Sequence, residues 1–384
     1  MKQTDYECVV LGVGAVGSAA LYHLARRGTR VLGIERFQPG HDRGSSHGDT
    51  RVTRLAYFEH PGYVPLLRRA RELWRQLERE SGQSLYQETG VLEVGPPDGE
   101  VVPGVLRAAK EHGLVVESLS AREIEARFPG FRVPKGLCGV FERDGGVLAV
   151  ESCVRSHAAL AVERGADLWT GTSVHGWDSD EGTFRVATEQ GIVRTERLVI
   201  TAGAWASDLL SHLGLSLRPR RKVLLWYGAE PMAYSPSAGS PVFLYEMLSG
   251  VFYGFPQLDT FGVKVAEHSG GAWVEDPLSL ERRVGPTDRE PVERFLQECL
   301  PLVNIQEPRR EAVCMYTMSD DLHFVVDHDS DRPGLVYAAG LSGHGFKFSS
   351  VLGEVLADRV MTGGSPLPAE VFSSRRPSLH ERGS

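Results

Sequence analysis

The first residues of this chain with a clear chemical use are three glycines, Gly12, Gly14 and Gly17, followed by an acidic residue, Glu35. A GxGxxG turn lets the backbone approach a pyrophosphate at the positive end of a helix, and the later acidic residue accepts hydrogen bonds from a ribose hydroxyl. A short apolar strand precedes the glycines, a helical pattern follows over residues 15–27, and a second strand ends at Glu35. This context favours a bound dinucleotide over a structural turn, with NAD and FAD both open.

A second glycine-rich turn occurs near the C-terminus, where residues 340–350 read GLSGHGFKFSS between a predicted strand and a predicted helix. Gly343 and Gly345 allow close backbone approach, the helix end offers free N–H groups, and Lys347 adds a positive charge. Such a turn suits the anionic N1–C2=O edge of a reduced flavin, although an ordinary loop with a solvated lysine is the alternative. Because parallel strands end at one edge of an open sheet, we expect both glycine turns to face one ligand.

Composition excludes several classes of protein. Lys and Arg number 42 against 50 Asp and Glu, a net charge of −8, which argues against nucleic acid or an anionic membrane as the main partner. No apolar stretch approaches the roughly 20 residues that a membrane span needs, and no secretory segment opens the chain, so we expect a cytoplasmic protein. The five cysteines are odd in number and never form a CxxC pair, so neither a disulfide framework nor a metal site is predicted.

Hydrophobic periodicity supplies the elements that must position these turns. Helical patterns cover residues 63–80, 154–164 and 351–360, and strand patterns cover residues 167–174, 197–200 and 335–339. Residues 218–324 alternate apolar and polar side chains, which is typical of an antiparallel sheet with one covered face. Polar residues 38–54 predict a long functional loop, and residues 373–384 predict a loose tail.

These elements predict a mixed α/β (α+β) fold in which a Rossmann-like dinucleotide-binding domain is joined to a substrate domain with a large antiparallel or mixed sheet. We expect the nucleotide domain to be discontinuous because βα patterns return after each excursion. Its predicted segments are residues 1–85, 146–217 and 325–384, and the predicted substrate domain comprises residues 86–145 and 218–324.

Several other residues have chemistry to offer but ordinary alternatives. Cys314 lies in a β-like run, where most cysteines are buried and inert. Lys264 and His268 are spaced to share one face of a strand, which alone suggests an exposed strand face. Arg51 and Arg54 lie in the predicted loop, where arginines are usually solvated.

Three strings change those interpretations, namely GDTR at 48–51, CMYT at 314–317 and SGHGFKFSS at 342–350. Together they closely resemble the monomeric sarcosine oxidase family of flavoprotein amine oxidases, and the resemblance extends over almost the whole chain. It implies one FAD per chain, attached covalently by a thioether from Cys314 to the flavin 8-methyl carbon. A thiolate adding to an electron-poor flavin methide is reasonable chemistry, and a basic neighbourhood would favour the thiolate.

The resemblance also assigns roles around that flavin. Arg54 and Lys347 would grip the substrate carboxylate, Arg51 would lie against the isoalloxazine ring, and Lys264 would activate O2. The substrate-cavity residues that it implies are Tyr253, His268, Tyr316, Gly343 and His344, of which His268, Tyr316 and His344 join Arg51 and Lys264 in the catalytic set. The cofactor contacts that it implies, besides Cys314, are Gly12, Gly14, Gly17, Glu35, Arg36, Ser45, Thr50, Arg51, Val174, Gly343, Gly345 and Lys347.

One residue departs from the family's pattern. Leu244 stands where the best-known members carry methionine beside the cavity. The exchange roughly conserves volume but gives a stiffer side chain, so it keeps the reaction and leaves the preferred substrate side chain open. A second local prediction concerns Arg54 with Tyr57, Phe58 and Glu59, which would form a movable lid in which Glu59 pairs Arg54 in the empty site; a surface ion pair is the alternative.

The function implied is oxidation of sarcosine and related small secondary amino acids by O2 and water, giving glycine, formaldehyde and hydrogen peroxide. We expect the enzyme to act as a monomer on a small amino acid and O2. The alternatives are the same chemistry on N-methyltryptophan, proline or pipecolate, an FAD amine dehydrogenase with another acceptor, a non-catalytic FAD-binding subunit, and an NAD-dependent reductase.

Overall fold

The structure is a computed structural model that describes residues 5–379, and within them it has nineteen strands and nine α-helices. The strands are β1 (Tyr6–Leu11), β2 (Val31–Ile34), β3 (Thr50–Thr53), β4 (Tyr86–Glu88), β5 (Val91–Gly95), β6 (Glu117–Leu119), β7 (Cys138–Glu142), β8 (Gly146–Ala149), β9 (Asp167–Trp169), β10 (Val174–Asp180), β11 (Thr183–Thr188), β12 (Gly191–Ile200), β13 (Arg218–Tyr227), β14 (Val242–Met247), β15 (Gly250–Phe255), β16 (Val263–Glu267), β17 (Arg310–Met318), β18 (Val325–His328) and β19 (Leu335–Ala339). The helices are α1 (Ala15–Arg26), α2 (Val64–Ser81), α3 (Val101–His112), α4 (Ala121–Arg127), α5 (Val150–Glu163), α6 (Ala206–Leu209), α7 (Pro231–Tyr234), α8 (Pro286–Cys299) and α9 (Ser349–Thr362).

The first sheet runs in the order β10-β11-β12-β1-β2-β9, with β19 beside β12 and β18 beside β19. Strand β1 is parallel to β2 and β12, and β12 is parallel to β19. The carboxyl ends of β1, β12 and β19 therefore share one edge of the sheet. The two glycine-rich turns follow β1 and β19, so they meet at that edge as predicted.

Helices α1, α2, α5 and α9 pack together on one face of this sheet. The apolar stripe of α2 is fully buried, as the periodicity predicted, and the helix ends at Gly82 in a left-handed conformation with φ of 67°. Helices α1 and α9 approach closely because Gly353 has no side chain: a Cβ there would lie 2.5 Å from the Cβ of Ala19. This layer fixes the start of α1 relative to the start of α9, where the two glycine turns lie.

The second sheet has the order β17-β13-β16-β15-β14-β5-β7-β6, and its neighbours are antiparallel except for the β14 and β5 pair. Helix α8 packs Phe295 against Phe243 and Phe252 on one face. The opposite face carries Leu244 and Tyr253, which belong to a separate apolar cluster. The mixed sheet is the one predicted for residues 218–324, extended by strands from residues 91–142.

A third, small sheet joins β3, β8 and β4. Here the sequence prediction was wrong, because residues 50–53 form a strand inside the predicted loop at 38–54. The predicted strand at 167–174 is also wrong: β9 ends at Trp169, and β10 starts only at Val174. The first error arises because β3 exists through its pairing with β8, far along the chain, and not through its own composition.

The tail is better packed than predicted up to the end of the described residues. Ser374 and Arg376 donate hydrogen bonds to Asp327 and Asp321, and Leu379 is buried. The rest of the predicted loose tail, residues 380–384, lies outside the described residues. The division into two discontinuous domains stays a prediction. Within residues 5–379, no helix combines the length and the apolar character that crossing a membrane would require.

Candidate active site

A cavity of about 350 Å³, here called the large cavity, opens at the carboxyl edge of the first sheet and is lined by both glycine turns. Gly12 adopts a left-handed φ of 84°, and a Cβ on Gly17 would lie 1.8 Å from the Gly12 carbonyl oxygen. A Cβ on Gly14 would meet only Ser46 Oγ, at 4.0 Å. Gly17 therefore closes the turn, whereas Gly14 faces the open space of the cavity.

Glu35 lies at the end of β2 and lines the same cavity while only 4% of it is exposed. Its carboxylate accepts hydrogen bonds from the backbone N–H groups of Val13 at 2.8 Å and Phe37 at 3.0 Å. Burial alone would raise the pKa of Glu35, but the His41 side chain and these two N–H groups lower it overall. An ionised acceptor is thus held beside the first glycine turn, as recognition of a ribose hydroxyl requires.

The remaining predicted cofactor contacts divide into two groups. Arg36, Ser45, Arg51, Val174, Gly343 and Gly345 line the large cavity. Gly17, Thr50, Cys314 and Lys347 do not line it. Cys314 is 1% exposed, and its Sγ lies 3.4 Å from Arg51 Nη2 and 3.4 Å from the Ser45 carbonyl oxygen. Cys314 therefore lies behind Arg51 and Ser45, which separate it from the large cavity.

The wall also has polar groups that sequence analysis missed. Trp205 and Thr317 line the large cavity, and among the described residues neither Trp205 Nε1 nor Thr317 Oγ1 has a hydrogen-bond partner. Buried polar atoms are rarely left unpaired in proteins, so these two atoms fit a polar ligand in the cavity. Trp205 ends the sequence TAGAW, which directly follows β12. That position after a parallel strand was the only sequence feature that could have indicated a ligand contact by Trp205.

A second cavity of about 50 Å³, here called the small cavity, adjoins the large one. The two cavities share four lining residues, Arg51, Tyr316, Gly343 and Phe346. The other predicted substrate residues come together here from five segments of the chain. They are Arg54 after β3, Leu244 on β14, Tyr253 on β15, His268 after β16, and His344 and Lys347 in the turn before α9. Strand β16 ends at Glu267, so His268 is not on the strand with Lys264 as predicted.

Arg54 is the most heavily paired cation of the small cavity and is 3% exposed. Its Nη2 donates to both oxygens of Glu59, at 3.0 and 3.2 Å, and its guanidinium carbon lies 4.4 Å from the centre of the Tyr57 ring. Burial would raise the pKa of Glu59, but Arg54, His344 and Lys347 lower it to about 2. The predicted pair of Arg54 and Glu59 is present, and its burial excludes the alternative of a surface ion pair.

Lys347 lies beside Arg54 in the same cavity. Its Nζ donates to the His344 carbonyl oxygen at 2.9 Å and lies 5.0 Å from the centre of the Tyr57 ring. Burial and the Arg54 charge lower the pKa of Lys347 to about 7. A carboxylate placed between Arg54 and Lys347 would favour the charged lysine, so the pair can act as a clamp for an anion.

The two histidines of the small cavity are neutral at physiological pH. Burial lowers the pKa of His268 to about 3 and that of His344 to about 4. His344 Nε2 lies 3.0 Å from the Leu322 carbonyl oxygen, which only accepts, so His344 Nδ1 accepts from the Tyr57 hydroxyl at 2.5 Å. His268 Nδ1 lies 3.4 Å from the Tyr316 hydroxyl.

Lys264 lines neither cavity but lies directly behind the GDTR loop. Its Nζ donates to the carbonyl oxygens of Gly48 at 2.5 Å and Thr50 at 3.0 Å, and to Thr50 Oγ1 at 3.0 Å. Burial and the neighbouring Arg51 lower the pKa of Lys264 well below its ordinary value. Asp49 has a left-handed φ of 67° and pairs with Arg310, which secures the loop between Lys264 and the large cavity.

The comparison with known proteins decides which dinucleotide this architecture serves. The family model described as DAO, FAD dependent oxidoreductase, matches residues 7–359 of the chain. This chain belongs to the DAO family of FAD-dependent oxidoreductases. The second glycine turn, the unpaired polar atoms of Trp205 and Thr317, and the carboxylate of Glu35 fit FAD in the large cavity.

The relatives of this DAO family chain share nearly its full length. Monomeric sarcosine oxidase of Bacillus sp. (strain B-0618) is 40% identical over 383 residues, which is 98% of each chain. N-methyl-L-tryptophan oxidase of Yersinia pestis (strain Pestoides F) is 36% identical over 375 residues, 97% of this chain and 99% of the relative. Among solved structures, NikD, described as an unusual amino acid oxidase, matches with a TM-score of 0.85 and 25% identity over 97% of this chain and 98% of its own.

Three ionisable residues beside the small cavity of this DAO family chain were not predicted from the sequence. Glu142 accepts hydrogen bonds from Leu55 N at 2.7 Å and Ala56 N at 2.8 Å, which fixes the chain after Arg54. Lys222 donates to the carbonyl oxygens of His268, Ser269 and Gly270 at 2.6–2.7 Å. Glu93 lies 3.3 Å from Arg54 Nε. The sequence feature that could have identified Glu93 and Lys222 is an ionisable residue within a largely apolar strand. The alternation of apolar and polar residues alone assigns such a residue to the exposed face.

Proposed function

We propose that the protein oxidises small N-methyl amino acids, with sarcosine as the preferred substrate, using O2 and water to form glycine, formaldehyde and hydrogen peroxide. The observation that carries the proposal is the clamp of Arg54 and Lys347 in a small cavity that adjoins the dinucleotide cradle. The family and the named activities of its relatives support the same chemistry. Bound FAD would supply the two-electron acceptor for the C–N bond of the substrate.

The clamp binds and orients the substrate. The carboxylate of the substrate replaces Glu59 as the partner of Arg54 Nη2 and stabilises the protonated form of Lys347. An arginine fork and a lysine point charge suit one carboxylate together. Tyr253 and Tyr316 then face the rest of the substrate, and their buried rings exclude water from the N-methyl group. We propose in addition that Glu59 belongs to a movable lid, which pairs with Arg54 only while the site is empty.

The two histidines of the small cavity are weak bases toward the substrate amine. Burial lowers the pKa of His268 to about 3 and that of His344 to about 4, so neither takes a proton from the amine near neutral pH. The amine must therefore be neutral when it reacts. The buried cations of Arg51 and Arg54 favour that neutral form by disfavouring a further positive charge in the same cavity.

The size of the small cavity favours a small substrate over N-methyltryptophan. Its volume of about 50 Å³ leaves room for a methyl group but not for an indole ring unless the wall moves. Leu244 contributes to that wall at 9% exposure, and its branched side chain adapts less than methionine. Proline and pipecolate are intermediate in size, so they rank between the two.

Lys264 is the residue proposed to assist the reaction with O2. Transfer of the first electron makes O2 an anion, and a fixed buried cation nearby stabilises that charge. Burial lowers the pKa of Lys264, and its three hydrogen bonds to oxygen atoms of the GDTR loop favour the charged ammonium against that effect.

Cys314 is proposed to carry FAD covalently. Arg51 Nη2 donates to Sγ at 3.4 Å, which places a cation beside the sulfur. The thioether to the 8-methyl carbon would form with loss of the thiol proton, one methyl proton and two electrons, and O2 would be the final acceptor of those electrons. Acid precipitation tests the bond: a yellow pellet and one FAD on the Cys314 peptide support it, whereas a colourless pellet and yellow supernatant contradict it.

A substrate panel tests the function. We expect O2 uptake matched by hydrogen peroxide, with kcat/KM highest for sarcosine and lower for L-proline, L-pipecolate and N-methyl-L-tryptophan. Turnover with a dye acceptor but not with O2 would identify a dehydrogenase instead, and a higher kcat/KM for a bulkier substrate would overturn the preference for sarcosine.

Replacement of Lys264 by Met should slow reoxidation by O2 about 100-fold to 1,000-fold. The exposed Lys110→Met serves as the control.

A further inference from the structure

Glu93 is a buried carboxyl group on the face of β5 that is directed toward the small cavity. It alternates with Leu92 and Val94, which belong to the apolar core on the other face of the second sheet. In the parallel pair of β5 and β14, Glu93 is in register with Leu244, which lines the small cavity. Only 1% of Glu93 is exposed.

The partners of Glu93 differ from those of the other buried glutamate nearby. Both oxygens of Glu142 accept backbone N–H groups, so Glu142 has a complete structural role. Among residues 5–379, neither oxygen of Glu93 accepts a hydrogen bond, and its ion-pair partner is Arg54, whose Nε lies 3.3 Å from Oε1. A buried carboxyl group without backbone partners does not stabilise the fold by itself, which points to a role through Arg54.

Arg54 thus lies between two carboxyl groups on different edges of its guanidinium. Glu59 occupies Nη2, whereas Glu93 faces Nε. The charged groups that face Glu93 are Arg54 and Glu59 from the chain after β3, Glu142 from β7, and Lys347 from the turn before α9. Burial raises the pKa of Glu93 to about 8, with Arg54 opposing the rise.

We propose that Glu93 is a positioning residue that holds the Nε edge of Arg54, so that the Nη2 edge exchanges Glu59 for the carboxylate of the substrate. This inference rests on the proposed function, because it takes the ligand of Arg54 to be a substrate carboxylate. A guanidinium held from behind keeps its direction when Glu59 leaves, which reduces the cost of ordering it on binding. Ionisation of Glu93 adds a negative charge behind the clamp and therefore weakens its hold on any anion.

Binding of acetate, an unreactive carboxylate, to the FAD-containing enzyme tests the inference by calorimetry. Replacement of Glu93 by Leu removes the support of Arg54 and should raise the acetate dissociation constant about tenfold or more. Glu93→Gln keeps an acceptor oxygen and should stay within about threefold of wild type at pH 6.5. Glu88→Gln, an exposed glutamate on β4 that pairs with Arg71 and Arg75, is the matched control and should have no effect.

The pH dependence separates a positioning role from a merely structural one. Ionised Glu93 raises the pKa of Lys347, so the comparison is made in a Lys347→Met background, where that coupling is absent. From pH 7 to pH 9, acetate affinity should fall about threefold further in Lys347→Met than in Lys347→Met combined with Glu93→Gln. Parallel profiles would overturn the inference even if Glu93→Leu does not fold.

Two further outcomes distinguish this inference from the proposed function. If acetate binds wild type and binding is lost in Arg54→Met but unchanged in Glu93→Leu, the clamp stands and the role of Glu93 is wrong. If acetate binding is unchanged in Arg54→Met, the carboxylate site itself is wrong, and the role of Glu93 fails with it. In turnover, Glu93→Leu should raise KM for sarcosine more than it lowers kcat, and the reverse would contradict a positioning role.

Discussion

The large cavity and the small cavity meet at Arg51, Tyr316, Gly343 and Phe346, yet they are built from different parts of the chain. The large cavity lies at the ends of β1, β12 and β19, with glycines where the ligand must come close. The small cavity is formed by charged and aromatic side chains, including Arg54 and Lys347, that cluster within a few ångströms. One cavity depends on the shape of the main chain, and the other depends on a balance of buried charges.

This difference has consequences for substitution and for pH. The large cavity has glycines where the ligand must come close, so it should respond strongly to steric changes at those positions. The small cavity holds Arg54, Lys347, Glu59 and Glu93 close together, so a single charge change alters the pKa values of the others. FAD retention and substrate binding should therefore fail under different perturbations.

The largest effect should come from Gly17→Ala. Its Cβ would lie 1.8 Å from the Gly12 carbonyl oxygen and 2.5 Å from Thr201 Oγ1, so the turn between β1 and α1 must move. We expect FAD content, measured by absorbance after denaturation, to fall to near zero, with a lowered Tm. Gly364→Ala, where no atom lies within 4 Å, is the control. Full FAD content in Gly17→Ala would show that the cradle does not depend on this contact.

A substitution in the small cavity should leave the cradle intact. Arg54→Met removes the fork of the clamp and leaves Glu59 buried without its cation, so kcat/KM for sarcosine should fall at least about 30-fold. FAD content should match wild type, because Arg54 does not line the large cavity. Arg79→Met, an exposed position on α2, serves as the control. Loss of FAD together with activity would show that the two cavities are not independent.

The same contrast explains what the sequence could predict. The first glycine turn was predicted correctly because strand, turn, helix and acidic residue are adjacent in the chain and each has a local pattern. The residues of the small cavity were found by resemblance, since Arg54, Lys347 and His268 come from three distant segments and look ordinary alone. Glu93 was missed because alternation places a charged residue on the solvent face, whereas here β14 and the chain after β3 cover that face.

The pH dependence of turnover should reflect both the substrate amine and Lys347 of the small cavity. The substrate amine, with a solution pKa of roughly ten if it resembles a lysine, must lose its proton before it reacts. We expect kcat/KM for sarcosine to rise with pH by up to about tenfold per unit, less steeply above pH 7 as Lys347 loses its charge. Binding of acetate, which has no amine, should weaken over the same range. A flat kcat/KM profile from neutral pH to pH 10 would contradict the requirement for a neutral amine.

The smallest effect concerns the layer of helices behind the large cavity, where pH should act on folding and not on the site. His23 on α1 and His157 on α5 are buried against Tyr22, and burial lowers the pKa of His23 to about 3 and that of His157 well below its ordinary value. Both stay neutral in the folded chain, whereas the unfolded chain protonates them below about pH 6.5. Stability is therefore complete above that pH and is lost as pH falls.

Replacing His157 by Phe removes one such group and should flatten the loss of unfolding free energy below pH 6.5 by up to about 1.4 kcal/mol per pH unit. Phe is larger, so the absolute stability changes too, and the slope is the quantity to compare. Denaturant unfolding at pH 7, 6 and 5 gives that slope, and the exposed His328→Phe provides the reference. An unchanged slope in His157→Phe would mean that the acid sensitivity arises elsewhere. His268 and His344 of the small cavity are then the next groups to replace. If they account for the slope, acid acts on the small cavity and not on the layer of helices.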